Sequence, residues 1–316
     1  MRTIFLTKLL VILITLTSNS QSKVFSITWS YGLAGGSKPS VTALNEGDAV
    51  SMNVANDLMK YFIENSKLDF KCIYNGCQNR AMVMSLMLQQ KGIKHYKVWN
   101  FDPFKISIFN SQDALDVDDI LGLKSNKILW DFHVAIAILA KNEETSKIDT
   151  LIIDPAFSSK PLKTKEWLSL QNSPNSYYTF LDPIWYNFVT LAPGISFTCS
   201  GVATNLNVPM CFPYLLTGDF YEYNSYNQKL IAEELATNDQ ITRATFEIIN
   251  KLDEKDPRKK NISSVVSDYN SFKTMLQSET QINGDNPFYS YLSDYRMGYK
   301  NGFAFWTVEL QKLNKK

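Results

Sequence analysis

Residues 78–91, Gln-Asn-Arg-Ala-Met-Val-Met-Ser-Leu-Met-Leu-Gln-Gln-Lys, are a run of strong helix formers closed by Gly92. Ala81, Met82, Val83, Met84, Leu86, Met87 and Leu88 point to nearly every side of such a helix. A helix without a polar face must be enclosed by the rest of the chain. Gly76 permits a tight approach to it and sets Cys77 on its first turn. Unpaired N–H groups and the helix dipole favour negative charge there, and the thiolate is the reactive form of cysteine. Taken alone, a cysteine in this place reads as a core residue. The histidines change that.

There are two histidines, His95 and His133. Trp130-Asp-Phe-His-Val-Ala-Ile-Ala-Ile-Leu139 is almost entirely apolar, as a strand buried on both faces should be. Ile148-Asp-Thr-Leu-Ile-Ile-Asp154 follows after the polar stretch 141–147, and Pro155 ends it. The two segments predict an antiparallel hairpin. Placing His133 opposite Asp154 requires a turn centred between 143 and 144, and the polar stretch is centred on 144. The imidazole and the carboxylate then meet on one face at one end of the hairpin. A buried imidazole needs a partner, and Asp154 supplies one that fixes its tautomer and stabilises its charged form. A satisfied core His–Asp pair is the plain alternative. With Cys77 added, the order Cys77, His133, Asp154 reads as nucleophile, base and orienter. The backbone N–H of Cys77 is an oxyanion donor. Asn75, Trp99 and Trp130 are candidates for a second donor or for substrate contact. His95, among basic and polar neighbours, is expected on the surface.

The N-terminus carries Arg2 and Lys8, an apolar core from Leu9 to Leu16, and small polar residues at 17–22. This is the pattern of a signal peptide, and its apolar run is too short to span a bilayer. The expected location is secreted or periplasmic, with no membrane contact after signal removal. A formal net charge of +1 argues against a nucleic-acid partner. Four cysteines sit at 72, 77, 199 and 211. Export permits disulfides, and Cys199 with Cys211 is the expected bridge. Cys72 is expected to be free or buried.

The remaining chain divides as 1–22 signal peptide, 23–47 irregular leader, 48–252 catalytic domain and 253–316 helical extension. Helical spacing runs through Val50, Val54, Leu58 and Phe62, and again over about 227–253, 264–278 and 287–312. Short strands are expected at 93–100, 105–109 and 219–224. The aromatics of 174–190 suit either a substrate groove or the core. Asp113, Asp116, Asp118 and Asp119 lack the spacing of a calcium loop and read as a solvated acidic loop. No metal site is expected.

Three motifs in order, Asn75-Gly-Cys-Gln-Asn-Arg-Ala81, Trp130-Asp-Phe-His-Val-Ala-Ile136 and Ile152-Ile-Asp-Pro-Ala-Phe-Ser158, resemble those of bacterial protein glutaminase. That family comprises secreted protein-glutamine deamidases with a papain- and transglutaminase-like core. The resemblance is strongest over 68–165 and weaker from 48 to about 250. It implies an α+β fold in which a central nucleophile helix packs on an antiparallel sheet, with a C-terminal helical extension added. It also implies Cys77 as nucleophile, His133 as general base and Asp154 as its orienter. Deamidation of protein-bound glutamine through a thioester would follow, with no cofactor. The substrates would be proteins or peptides with accessible glutamine, and the enzyme a monomer. The segment before the first helix is shorter than the family's inhibitory pro-segment, which argues against a zymogen stage. A transglutaminase, a cysteine peptidase, a toxin-like effector and a non-enzymatic exported binding protein remain as alternatives.

Overall fold

The computed structural model describes residues 41–102, 105–106, 114–123, 127–173, 176–190, 214–215, 218–280 and 284–315. The signal-type segment, most of the leader, and Cys199 with Cys211 lie outside them. In chain order, β1 (Val50–Ser51) leads into α1 (Met52–Glu64), α2 (Cys77–Gln90) and β2 (Tyr96–Phe101). The strands β3 (Lys105–Ile106), β4 (Leu115–Asp118), β5 (Lys127–Trp130), β6 (Phe132–Lys141), β7 (Ile148–Ile153) and β8 (Leu162–Lys163) follow. Next come α3 (Thr164–Ser169), β9 (Tyr177–Leu181), β10 (Trp185–Thr190), β11 (Tyr214–Leu215) and β12 (Gly218–Glu222). Four helices close the chain: α4 (Ser225–Glu247), α5 (Pro257–Ser267), α6 (Tyr269–Gln277) and α7 (Leu292–Leu313).

The main sheet runs β8–β7–β6–β2–β9 in antiparallel order, with β1 parallel beside the far end of β6. Strand β6 is apolar over 134–140, and both its faces are covered there. Ile136, Ile138 and Ala140 meet Met82, Val83, Met84, Leu86 and Leu88 of α2. Ala135 and Ala137 pack on the opposite face with Val98, Ile152, Leu162 and Trp167. The predicted enclosure of α2 is thus realised: ten of its residues, from Asn79 to Leu88, are buried. Helix α1 buries Ala55, Leu58, Met59 and Phe62 in the same cluster, and its Ser51 cap accepts from the Val54 amide at 3.1 Å.

The C-terminal helices join this core. Trp306 and Leu310 of α7, and Ile231, Ala232 and Leu235 of α4, belong to the cluster around α2. Burial of side chains of this size stabilises by about 1.5–3 kcal/mol each, so α7 is held by the central core as well as by its helical neighbours. A second cluster joins α4 to α7 through Ile241, Ile262, Phe272, Phe288 and Tyr295.

Some sequence expectations are corrected. Residues 115–118 of the acidic stretch form a strand paired with β5. Asp116 and Asp118 meet Lys127 across it at 3.6 and 3.1 Å, while Asp119 is buried and accepts from the Leu121 and Leu123 amides. The helix expected over 264–278 is broken at Asp268, whose side chain accepts from the Ser271 amide and starts α6 anew. In the aromatic stretch, Trp185, Tyr186 and Phe188 are core residues.

Candidate active site

Gly76 precedes α2 with φ at +86°, the left-handed conformation open to glycine. Its amide donates to Asn75 Oδ1 at 2.7 Å, and its carbonyl accepts from the amides of Asn79 and Arg80. Cys77 is the first helical residue, so its own amide has no acceptor within the helix. The thiol is half-buried and donates to Gln78 Oε1 at 3.5 Å. Arg80, buried on the next turn, donates through Nη1 to the carbonyls of Cys72 and Asn75 at 2.8 and 3.2 Å, and so ties down the loop before the helix.

The hairpin forms, with a register that differs from the expected one by two residues. Ile136 lies opposite Ile153 and Lys141 opposite Ile148, so the next step brings Asp154 beside Ala135 rather than His133. A shift of two preserves the face, because side chains alternate with period two. The diagonal neighbours therefore still meet: His133 Nε2 lies 2.7 Å from Asp154 Oδ2. Pro155 cannot continue the ladder, and the chain turns, with the Phe157 and Ser158 amides donating to the Asp154 carbonyl.

Both members of the pair are buried, and the charges are accordingly demanding. Burial disfavours the imidazolium. The Asp154 carboxylate and the nearby Cys77 sulfur together outweigh that effect, and the His133 pKa is pushed up to about 9. Burial likewise works against ionised Asp154. His133, the Trp167 indole and the Arg80 charge overcome it, and the carboxyl is held below its usual range. Trp167 Nε1 donates to Asp154 Oδ2 at 2.8 Å, and the Ala156 amide to Oδ1 at 3.2 Å. The imidazole is clamped between Trp130, stacked at 4.7 Å, and the edge of Phe157 at 5.1 Å. Among the described residues no hydrogen-bond partner meets His133 Nδ1, and the Cys77 side chain is the other group that acts on the ring.

Cys77, His133 and Asp154 line one narrow crevice of about 10 Å³, together with Phe70, Arg80 and Ala81. A broader cleft of about 300 Å³ is also lined by Cys77, with Ile73, Asn75, Gln78, Trp130, Phe132 and Asn187. Cys77 is the one residue common to both linings. A larger hollow, about 560 Å³, lies away from this site, between Leu123, Lys260 and Asp268, and contains neither histidine nor cysteine.

The other candidates from sequence are placed as follows. Asn75 borders the cleft. Trp130 does too, but its indole N–H donates to the Ile73 carbonyl at 3.1 Å. Trp99 is fully buried among Phe101, Phe132 and Phe220, and its N–H has no partner among the described residues. Cys72 is buried with a free thiol. His95 is not on the surface: it is buried between Ser85 Oγ at 2.8 Å and the Ile93 carbonyl at 2.9 Å. The strand alternation around it misleads, because the back of α2 covers that face. Trp167 escaped the sequence reading; its signal was a lone large aromatic in the polar stretch 163–169, shortly after Asp154.

Residues 51–171 match a family described as Glutaminase. No match is found among curated proteins. Among solved structures, the chain is similar to a mutant of pro-protein-glutaminase, with 16% identity, 62% of each chain covered and a TM-score of 0.40. It is also similar to protein-glutaminase from Chryseobacterium proteolyticum, with 16% identity, 62% of this chain and 89% of that one covered, and a TM-score of 0.37. A further protein-glutaminase structure matches with 16% identity, 66% and 93% coverage and a TM-score of 0.36. The chain thus spans less than two thirds of the length of the pro-form. Among the described residues, no helix is long and apolar enough to cross a membrane.

Proposed function

From the match of residues 51–171 to the glutaminase family, together with the site around Cys77, we infer that this protein is an exported thiol amidohydrolase that converts protein-bound glutamine to glutamate. The observation that carries this reading is that Cys77 lines both the crevice that holds the His133–Asp154 pair and a broader cleft beside it. The core is read as papain- and transglutaminase-like: a nucleophile helix whose first turn faces a histidine on an antiparallel sheet.

In this reading the Cys77 sulfur attacks the carboxamide carbon of a glutamine lying in the cleft. His133, protonated at neutral pH and held by Asp154, donates to the departing ammonia. The carbonyl oxygen develops charge beside the first-turn amides of α2, which lack helical acceptors. Water, deprotonated by His133, then opens the thioester and leaves glutamate. General acid–base catalysis of this kind contributes ~10²–10⁴-fold. Trp130 and Phe157 restrict the ring to the orientation in which Nε2 meets Asp154, which leaves Nδ1 for the sulfur side.

The test is to incubate the mature protein with a denatured, glutamine-rich protein and measure ammonia. Release that depends on Cys77, with no new N-termini and no crosslinked polymer, is the expected result. No ammonia above a Cys77→Ala control would defeat the deamidase reading. Crosslinked polymer or cleaved chains in its place would assign the same cysteine to a transglutaminase or a peptidase.

A further inference from the structure

The first turn of α2 is held from outside the family-matched segment. Asn79, two residues after Cys77, is fully buried and engaged at both ends of its amide. Its Nδ2 donates to Glu234 Oε2 at 2.5 Å, and its Oδ1 accepts from Tyr186 Oη at 2.6 Å. One turn further along α4, Asn238 Nδ2 donates to the Asn75 carbonyl at 3.2 Å. A side chain at Gly76 would meet that same Nδ2 at 2.9 Å. Glu234 and Asn238 are four residues apart, so they project from one face of α4 onto the two sides of Cys77 in the chain. Lys273 of α6 lies 3.9 Å from Glu234 Oε1 and 3.7 Å from Glu233 Oε2.

A carboxylate is costly to bury unless it is paired, and Glu234 is paired with Asn79 directly and with Lys273 at longer range. Its direct partner is the amide that fixes the turn bearing the thiol. We propose that Glu234 and Asn238 are positioning residues, which set the Cys77 sulfur against His133 by clamping residues 75–79 from α4. The proposal rests on the reading of Cys77 as nucleophile. It assigns to the helical segment a part in the chemistry that the motifs around Cys77, His133 and Asp154 do not contain. Misplacement by about 1 Å can cost on the order of 10²-fold in rate, so a loosened clamp should be measurable without unfolding the protein.

The test uses the mature protein with Glu234→Ala, Glu234→Gln and Asn238→Ala. Two quantities are read: the rate of iodoacetamide alkylation at the Cys77 peptide, by mass spectrometry from pH 5 to 10, and kcat against KM for ammonia release. Circular dichroism and thermal unfolding establish that each variant is folded. Both alanine variants should alkylate about tenfold more slowly near pH 7, with the rise in rate displaced to higher pH. Their kcat should fall in proportion, with KM within twofold. Glu234→Gln keeps an acceptor for Asn79 and should recover to within about threefold of the unaltered protein. Folded alanine variants that alkylate at the unaltered rate would overturn the proposal, as would Glu234→Gln behaving like Glu234→Ala. Should Glu234→Ala not fold, Asn238→Ala decides, because the Asn75 carbonyl keeps its Arg80 bond. If the unaltered protein releases no ammonia, the deamidase reading falls while the alkylation profiles still decide this one.

Discussion

Replacing Asp154 with Asn removes the charge that keeps the buried His133 ring protonated. In the folded protein His133 titrates at about 9, against an ordinary 6.5. Each pH unit in that interval corresponds to ~1.4 kcal/mol, so the pair contributes on the order of 3 kcal/mol. The folded state binds the proton more tightly than the unfolded one. The contribution is therefore complete below about pH 6.5 and is lost as the pH rises through 9. Asp154 itself is held below the usual carboxylate range and does not titrate in this window. In Asp154→Asn, burial acts on the ring with the Asp154 charge gone, and the loss of stability between pH 6.5 and 9 should vanish. The assay is urea unfolding of both proteins at pH 6, 7.5 and 9.5. The asparagine costs stability in other ways as well, since its NH₂ must replace an oxygen that accepts from a peptide amide or from the two ring donors. Those costs are the same at each pH. The stability gap between the two proteins should therefore shrink by about 3 kcal/mol between pH 6 and 9.5. A gap that stays constant across that range would refute the coupling of His133 to Asp154.

Other substitutions probe the supports of the site. Trp167→Phe deletes a hydrogen bond to a buried carboxylate and should destabilise by ~1.5–3 kcal/mol in urea unfolding, with slower ammonia release; unchanged stability and rate would show that the indole N–H is not needed. Gly76→Ala forces a side chain into the left-handed region and against Asn238 Nδ2; a loss of ~1–3 kcal/mol and slower Cys77 alkylation are expected by the same measurements. Burial outweighs the Ile93 carbonyl at His95 and, with Lys97 and Lys94, lowers its pKa to about 4. The folded state then binds that proton less tightly than the unfolded one, so stability should rise with pH between about 4 and 6.5. In His95→Gln that rise should be smaller by up to ~3 kcal/mol, which thermal unfolding from pH 4 to 7 would detect.

The reading from sequence succeeded where local pattern has one structural solution. A helix apolar on all sides, as 81–88 is, can only be central, and a nearly unbroken apolar strand such as 132–140 must be covered twice. The pairing of His133 with Asp154 survived an error of two residues in the turn, because only an odd slip would have put them on opposite faces. It failed where the answer lay on another element. His95 alternates with lysines and reads as exposed, yet Ser85 of α2 lies over it. Lys97 of the same strand is also fully buried, its Nζ donating to the Trp185 carbonyl and Met82 Sδ, and burial pushes its pKa well down. Trp130 lines the cleft beside Cys77, but its N–H is committed to the Ile73 carbonyl.

The chain's own residue order determined the helix that must be buried, the cysteine at its mouth, and the strand parity that brings an imidazole and a carboxylate to one face. Those follow from periods of 3.6 and 2, which are local properties of the backbone. The tertiary structure alone decided that Trp167 donates to Asp154, that α4 grips the turn on both sides of Cys77, and that Cys77 lines both the crevice of the buried pair and a broader cleft. These join residues 13 to 163 positions apart, and no spacing in a sequence encodes which distant side chain will fill a particular gap in the packing.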